Sequence, residues 1–272
     1  MLPLKVVVGG FALFAVSFFV QGVEIVNVAQ KQSVQNAREE YLSELLTRAL
    51  ERANYPVDIK MQPVSLQQQR DLIELDKTEL DVYWSMSSPE REARAIAVKV
   101  PLFKGFIGKR VLLTSKKNVE KFKGITTLAQ LSELSAVQGH DWPDTKIMAY
   151  NGLHVRPLSN YQAMFTLTSR GRIDYFPRSF IEVNSELAAN AQSNLVIVPN
   201  LFISYPTGIY YFVVSSKPAL AQAIELGLQN MQNMQNSGEF DALFDEYFAK
   251  DINSLPFTKG YTTELKLDNP YF

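Results

Sequence analysis

Hydrophobic positions in the first part of the chain alternate between strand-like and helix-like spacing. An apolar run at 23–29 predicts a buried strand, and a set of apolar residues at helical spacing follows it. That helical set consists of Tyr41, Leu42, Leu45, Leu46, Ala49 and Leu50. Pro56 ends the helix, and the alternating segment 57–64 predicts the next strand. A helix at 66–75 and a strand at 80–84 complete a β-α-β-α-β order, which implies parallel strands joined by crossover helices.

The second half of the chain carries its own alternating unit. The predicted strands are 106–114, 135–138, 147–150, 173–176, 194–199 and 209–214, and the predicted helices are 126–134, 161–170, 180–189, 218–235 and 240–249. We interpret Pro177-Arg178 as a turn and Ser179 with Glu182 as a capping box. One lobe built from both chain ends, with a second lobe inserted, accounts for this order. The expected division is 23–105 and 206–272 for lobe 1 and 106–205 for lobe 2.

The N-terminus has the pattern of an export signal. Lys5 precedes an uncharged apolar run at 6–20, and Gln21-Gly22 offers a cleavage point, so 1–22 is predicted to be a signal peptide. The alternatives are a first buried element and an uncleaved membrane anchor, because the run approaches spanning length. A chain without cysteine has no residue for a bacterial lipoprotein anchor.

Composition excludes several chemistries. The 272 residues carry a formal net charge of -1, so there is no cationic excess for nucleic acid. With no cysteine and only 2 histidines, the chain lacks a thiol nucleophile, a disulfide and any common zinc-ligand spacing. We therefore expect no metal, no cofactor and no catalytic residue. A serine hydrolase is the less favoured alternative, because no nucleophile-elbow motif is present.

The segment 81–94 carries the most specific chemistry. An apolar run ends in Ser-Met-Ser-Ser-Pro, and Arg91 follows where a new helix would begin. A strand that runs into a helix N-terminus presents free backbone N–H groups, and an arginine adds a two-pronged donor for a carboxylate. The alternatives are an exposed Arg91 paired with Glu90 or Glu92, and Arg94 as the ligand residue.

Five segments in this order resemble the family 3 extracellular solute-binding proteins, the capture subunits of amino-acid-type ABC importers. The segments are 81–94, 100–105, 105–116, 171–175 and 218–248. The resemblance implies a two-lobe α/β fold of the type II periplasmic-binding-protein kind. In that fold each lobe is a mostly parallel sheet flanked by helices, and the ligand cleft lies between the lobes.

The resemblance also implies a set of ligand residues at the strand ends. The family's Thr-x-x-Arg corresponds to Ser88-Pro-Glu-Arg91, whose arginine holds the ligand α-carboxylate, with Trp84 and Ser87 at the same strand end. A Gly-Thr-Thr turn of the family is replaced by Gly-His-Asp-Trp at 139–142, where Trp142 is either an aromatic platform for the ligand or a residue packed within its own lobe.

A third strand end departs further from the family. Ser179 stands where the family often places an aspartate for the ligand amino group, and Arg178 precedes it. An Arg178 that faces the ligand would favour a dianion or a non-amino acid. The alternative is that Arg178 forms a salt bridge with Glu182 or Asp174. Tyr175, like the tryptophan of the first strand end, is expected to cover the apolar part of the ligand.

The function that follows is capture of a small carboxylate-bearing solute by lobe closure, in a monomer that serves an ABC permease. A sensory module that signals to a membrane protein is the alternative. The pattern Gly-x-x-Trp-Pro-Asp-Thr at 139–145 and Gly-Arg-x-Asp-Tyr-Phe-Pro-Arg at 171–178 resembles a divergent subgroup from Gram-negative bacteria, which implies a periplasmic location.

Overall fold

A computed structural model describes residues 23–31, 36–64, 72–233 and 238–272. The predicted signal peptide and most of the predicted helix 66–75 lie outside the described residues. At the end of that segment, 72–77 forms a short 3₁₀ helix.

Strands and helices alternate along most of the chain. The strands are β1 (Glu24–Lys31), β2 (Val57–Val64), β3 (Val82–Met86), β4 (Ile96–Val98), β5 (Lys109–Ser115), β6 (Ser135–Gly139), β7 (His154–Leu158), β8 (Phe176–Ser179), β9 (Leu195–Ser204), β10 (Ile209–Val213) and β11 (Thr263–Lys266). The helices are α1 (Asn36–Arg52), α2 (Pro89–Glu92), α3 (Leu128–Ser132), α4 (Pro143–Tyr150), α5 (Tyr161–Ser169), α6 (Val183–Ala189), α7 (Pro218–Gln232) and α8 (Glu239–Asn253).

Lobe 1 is built on a five-stranded sheet in the order β2-β1-β3-β10-β4. The first three strands run parallel, as predicted, and β10 runs antiparallel to both of its neighbours. Helix α1 packs its apolar stripe against this sheet and against α7. The two helices approach so closely that a Cβ on Gly227 would lie 1.8 Å from the carbonyl oxygen of Ala49, so only glycine fits there.

Lobe 2 is built on a four-stranded sheet, β11-β9-β5-β8, and a two-stranded sheet, β6-β7. A bridge between Ala136 and Tyr175 joins the two. Strand β5 runs antiparallel to both β8 and β9, so the larger sheet of this lobe is not mostly parallel as expected. The overall prediction of two α/β lobes with helix-covered sheets is confirmed.

The chain crosses between the lobes after β4 and again after β9. These two crossing segments touch at Gly108, where a Cβ would lie 2.2 Å from the carbonyl oxygen of Tyr205. A third crossing follows α8, because β11 pairs with β9 in the lobe 2 sheet. The assignment of all of 206–272 to lobe 1 is therefore wrong for this last strand.

Two local predictions in lobe 2 are also wrong. Residues 147–150 belong to helix α4, which begins at Pro143, a residue suited to the first helical position. Pro177 and Arg178 lie within strand β8 and do not form a turn, because they pair with Leu112 and Val111 of β5. At 147–150 the helix that begins at Pro143 includes a short apolar run whose pattern predicts a strand. At Pro177-Arg178, pairing with β5 prevailed over the turn signal of the proline.

Candidate ligand-binding cleft

Arg91 lies where β3 ends and the short helix α2 begins, at the edge of lobe 1. Ser88 is the N-cap of α2, and its hydroxyl accepts from the backbone N–H of Arg91 at 3.4 Å. The Arg91 guanidinium donates to the carbonyl oxygen of Met86 at 2.8 Å. Local chain geometry therefore holds the arginine at the strand end, as its sequence position predicts.

Arg91 makes no ion pair with any carboxylate among the described residues. Its neighbours Glu90 and Glu92 pair instead with Lys146 and Lys99. Burial lowers the pKa of Arg91, and more distant charges, including those of Asp141 and Asp144 in lobe 2, only partly offset that effect. The result is a half-buried cation without an ion-pair partner among the described residues.

The other residues predicted at this strand end have partners inside the protein. The Ser87 hydroxyl donates to Glu92 at 2.5 Å. Trp84 is buried in the lobe 1 core, edge-on to Tyr211, and its indole N–H donates to Glu39 at 3.1 Å. Arg91 is the charged residue predicted at this strand end, and its charge has no ion-pair partner within the described part of the protein.

A buried set of charged residues lies between the lobes beside this edge, and we call it the cleft ion cluster. Its members are Arg38, Glu39, Arg110, Asp144, Arg178, Glu182 and Glu186. Arg38 and Glu39 come from helix α1 of lobe 1, and the rest come from lobe 2. Buried charges are tolerated when they are paired, and here each has a partner of opposite sign.

Arg178 is held entirely by its own lobe. Its guanidinium contacts Glu186 at 2.5 and 2.7 Å and Glu182 at 3.0 Å, and the residue is 3% exposed. It also lies over the ring of Trp142, with 5.1 Å between the guanidinium carbon and the ring centre. The structure therefore matches the alternative in which Arg178 pairs with Glu182.

Glu182 is the residue of the cleft ion cluster that three arginines contact. Arg38, Arg178 and Arg110 contact its carboxylate at 2.5, 3.0 and 3.5 Å. Burial alone raises the pKa of Glu182, but the charges of these arginines outweigh burial and lower it to about 2. The sequence-based capping box with Ser179 does not form, since the Ser179 hydroxyl bonds the carbonyl oxygen of Phe106.

Arg110 ties the cluster to the second crossing segment. Its guanidinium contacts Asp144 at 2.5 Å and the hydroxyl of Tyr205 at 3.0 Å, and that hydroxyl donates to Asp144. Burial raises the pKa of Tyr205 well above its ordinary value, which keeps the phenol protonated and able to donate. The base of the cleft is thus fixed by a closed set of charge-assisted hydrogen bonds.

Within the described ranges of the chain, two ion pairs join the lobes directly. Arg38 of α1 contacts Glu182 at 2.5 Å inside the cleft. Lys146 of α4 contacts Glu90 of α2 at 2.9 Å at the surface. The lobes are therefore joined by one largely buried and one exposed ion pair.

The two remaining predicted residues lie within lobe 2. Trp142 is half-buried and stacks on Phe176 with a 6.4 Å centroid separation, which matches the alternative of packing in its own lobe. Tyr175 is 0% exposed and contacts Phe122 edge-on. Because its side chain is fully buried within lobe 2, the structure does not offer Tyr175 to a ligand as predicted.

Sequence reasoning missed most of the cleft ion cluster. One signal was present: Arg110 interrupts the apolar run of β5, where a charge is unfavourable unless it is paired. No signal indicated which carboxylates would meet Arg110, since Asp144 and Glu182 come from two separate segments. Within the described residues, no group of histidine and acidic side chains has an arrangement suited to a metal ion.

A pocket of about 520 Å³ lies next to the crossing segments. Its lining includes Lys104, Tyr205, Thr207, Phe240 and Phe272, and none of the predicted ligand residues. It is therefore not lined by Arg91. None of the helices in the described part of the chain combines the length and hydrophobicity that a membrane span needs.

The chain is similar to many solved structures at low sequence identity. An ancestral arginine-binding protein bound to glutamine is 15% identical, with a TM-score of 0.60 over 84% of this chain and 99% of the other. An amino acid ABC transporter substrate-binding protein from Streptococcus pneumoniae, bound to L-arginine, is 14% identical, with a TM-score of 0.57 over 84% and 96%. An ancestral amino acid-binding protein, described as a precursor of cyclohexadienyl dehydratase, is 14% identical, with a TM-score of 0.57 over 82% and 95%.

No protein-family model matches the chain, and no curated protein does. At this level of identity the structural matches establish architecture. They cover most of both chains and agree with a two-lobe α/β architecture. The chain has the type II periplasmic-binding-protein fold.

Proposed function

We propose that this protein binds a small carboxylate-bearing solute in the gap between its lobes, without turnover. The observation that carries the proposal is the Arg91 guanidinium, a half-buried cation at a strand end with no carboxylate partner among the described residues. The fold supports it, because solute-binding proteins are prominent among the similar structures.

The physical reason lies in the energy of an uncompensated cation. Withdrawing a guanidinium from water without a counter-charge is unfavourable, which agrees with the lowered pKa of Arg91. A ligand carboxylate would restore the balance through a two-pronged, charge-assisted pair. The neighbouring Ser88 fixes the backbone from which the arginine extends, so that little further ordering is required on binding.

The ligand class follows from the groups opposite Arg91. Arg178 is fully engaged by Glu182 and Glu186, which removes the second cation that a dianion would need. The side chain of Asp141 in lobe 2 is 50% exposed. Burial lowers the pKa of Arg91, and the charge of the Asp141 carboxylate acts against that effect. These positions favour an amino-acid-like solute with a carboxylate and a cationic group over a dicarboxylate.

The cellular role is an extension of this proposal. The apolar segment at 6–20 behind Lys5 supports export, and the resemblance of 139–145 and 171–178 to a divergent subgroup favours the periplasm of a Gram-negative bacterium. One of the similar structures belongs to an amino acid ABC transporter, which supports delivery to an importer permease by a monomeric capture protein. Arg91 would then contribute ligand affinity, and the crossing segments at Gly108 and Tyr205 would act as the hinge.

The test is calorimetric titration of the exported protein, refolded from denaturant to remove any co-purified ligand. The probes are L-arginine, L-glutamine, the other L-amino acids and a set of dicarboxylates. For any probe that binds, Arg91→Ala should weaken binding by about 2–5 kcal/mol, because one partner of a desolvated charge pair is lost.

Arg94→Ala is the matched control, since Arg94 lies on the same segment and is exposed. It should leave the affinity within about 0.5 kcal/mol of the parent protein, as is usual for surface substitutions. Equal losses in the two variants, or an unchanged affinity in Arg91→Ala, would contradict the assignment of Arg91.

A further inference from the structure

Arg38 lies between the lobes, where its guanidinium contacts a carboxylate of each lobe. It extends from the first turns of α1 in lobe 1, and one terminal nitrogen contacts Glu182 of lobe 2 at 2.5 Å. The other terminal nitrogen contacts Glu39 of its own helix at 2.8 Å, and the Nε contacts the same oxygen at 3.2 Å. One guanidinium thus bridges carboxylates of both lobes.

The two carboxylates are organised independently of Arg38. Trp84 donates to the other oxygen of Glu39 at 3.1 Å, which orients that side chain from within lobe 1. Arg178 and Arg110 contact the other oxygen of Glu182, which orients that side chain from within lobe 2. Each lobe therefore presents a fixed, buried carboxylate oxygen to a shared guanidinium.

This arrangement has a direct consequence for lobe closure. In a hinged protein of this kind, a ligand stabilises the closed state because it contacts both lobes at once. Arg38 already makes such contacts, with an oriented and largely buried pair on each side. A charge-assisted pair that exists only when the lobes meet shifts the equilibrium toward the closed state without any solute.

We propose that Glu39 and Glu182 form a guanidinium site across the two lobes, and that the chain fills this site with its own Arg38, so that the cleft is closed before a solute binds. The inference goes beyond the proposed function, because it concerns the protein without its ligand. The proposal also names a class of external ligand for the site. When Arg38 is removed, a free guanidinium compound should bind between Glu39 and Glu182.

The experiment measures the distance between the lobes in the refolded, ligand-free protein. The chain has no cysteine, so spin labels can be attached at single introduced cysteines, Ala93→Cys beside α2 and Ala149→Cys on α4. Both alanines are exposed, and their elements are the ones that the Glu90–Lys146 pair joins. The parent protein should give one short, narrow distance distribution, and Arg38→Ala should give a longer and broader one.

Arg48→Ala is the matched control. Arg48 lies on the same helix and pairs with Glu44 and Glu239, all within lobe 1, so its loss should leave the distance distribution unchanged. If Arg38→Ala does not give the native circular dichroism spectrum, Arg38→Gln keeps the side-chain length without the charge and should open the lobes in the same way.

Rescue by a free cation tests the site itself. Methylguanidinium chloride, far below denaturing concentrations, should return the Arg38→Ala variant to the short distance, whereas methylammonium chloride at equal concentration should not. The planar guanidinium can bridge two carboxylates, but an ammonium group is a compact point charge. The parent protein should respond to neither salt.

Three outcomes overturn the proposal: an open ligand-free parent protein, a variant without Arg38 that stays closed, or an opened variant that methylguanidinium does not close. None of these readouts uses the solute of Arg91. If Arg38 does not hold the lobes closed, the binding test of Arg91 is unaffected. If Arg91 does not bind a solute, the distance measurements on Arg38 are likewise unaffected.

Discussion

Arg91 and Arg178 both lie near the junction of a strand and a helix, Arg91 in α2 just after β3 and Arg178 in the last half of β8, yet their surroundings differ. Arg178 lies against two buried carboxylates and an indole ring. Arg91 contacts a backbone carbonyl, and no described carboxylate pairs with it. Their pKa values move in opposite directions: the charges of Glu186 and Glu182 outweigh burial and raise that of Arg178, and burial lowers that of Arg91.

The difference separates two uses of the same side chain. A cation whose charge is balanced within its own lobe has a structural role. Its hydrogen-bond donors are occupied, so it is not available to bind a ligand. A cation left partly desolvated and unbalanced gains when an anion arrives, so it can contribute differential affinity. Position in the sequence placed both arginines at strand ends, but only their contacts distinguish the structural arginine from the candidate ligand residue.

The largest expected effect is on stability, in Arg178→Ala. Loss of this guanidinium removes the ion pairs to the buried carboxylates of Glu186 and Glu182, and the free energy of unfolding should fall by about 3–5 kcal/mol. Arg91→Ala should change it by less than about 1 kcal/mol, because the loss of one hydrogen bond is offset by relief of an unpaired cation. Urea unfolding of the two variants checks the contrast.

Arg178→Met serves as a second variant for this comparison. It restores much of the side-chain volume but not the charge that pairs with Glu186 and Glu182, so its stability should stay close to that of Arg178→Ala. Equal stabilities of the Arg91 and Arg178 variants would show that the contrast between the two arginines does not hold.

The next effect is a loss of stability in acid that originates in the cleft ion cluster. The pKa of Glu182 is lowered from 4.5 to about 2 in the folded protein, so the unfolded chain binds a proton first as the pH falls. The stabilisation is complete above about pH 4.5 and is lost as the pH approaches 2, to a total of about 3 kcal/mol.

Urea unfolding as a function of pH measures this loss. Glu182→Gln removes the titrating group, so its stability should vary less steeply than that of the parent protein between pH 4.5 and 2. Parallel profiles for the two proteins would mean that other carboxylates carry the acid sensitivity.

The smallest effect concerns the outer contact between the lobes. The side chains of Glu90 and Lys146 are 60% and 63% exposed, in contrast to the buried pair of Arg38 and Glu182. A double-mutant cycle with Glu90→Ala and Lys146→Ala should give a coupling energy of about 0.2–1 kcal/mol that diminishes with added salt. A coupling above about 2 kcal/mol would assign lobe contact to the surface pair instead of the interior.

Much of the architecture follows from patterns within single segments. The apolar stripe of α1, the strand at 57–64 and the helix after Asn160 are present as predicted, because each has a strong period and clear end signals. Boundaries failed where the signal was short. Residues 147–150 form part of α4, since a four-residue apolar run does not separate a helix from a strand.

The candidate site was less accessible to sequence reasoning. The position of Arg91 followed from a strand, a capping serine and a proline, all local features. The pairing of Arg110 with Asp144, or of Arg38 with Glu182, joins residues that lie far apart in the chain, and nothing in either segment specifies the other. The last strand was missed for the same reason, because β11 is a short edge strand whose partner, β9, lies about sixty residues earlier.

The sequence by itself determined the alternation of elements, the division into two lobes and the location of Arg91 at a strand end, because these depend on periodicity and on caps within a few residues. Only the tertiary structure decided which charges meet. The energy of a buried ion depends on its partners a few ångströms away in space, and those partners came from both lobes and several distant segments. Arg178 is therefore balanced within the protein and Arg91 is not, and this distinction supports the proposed binding site.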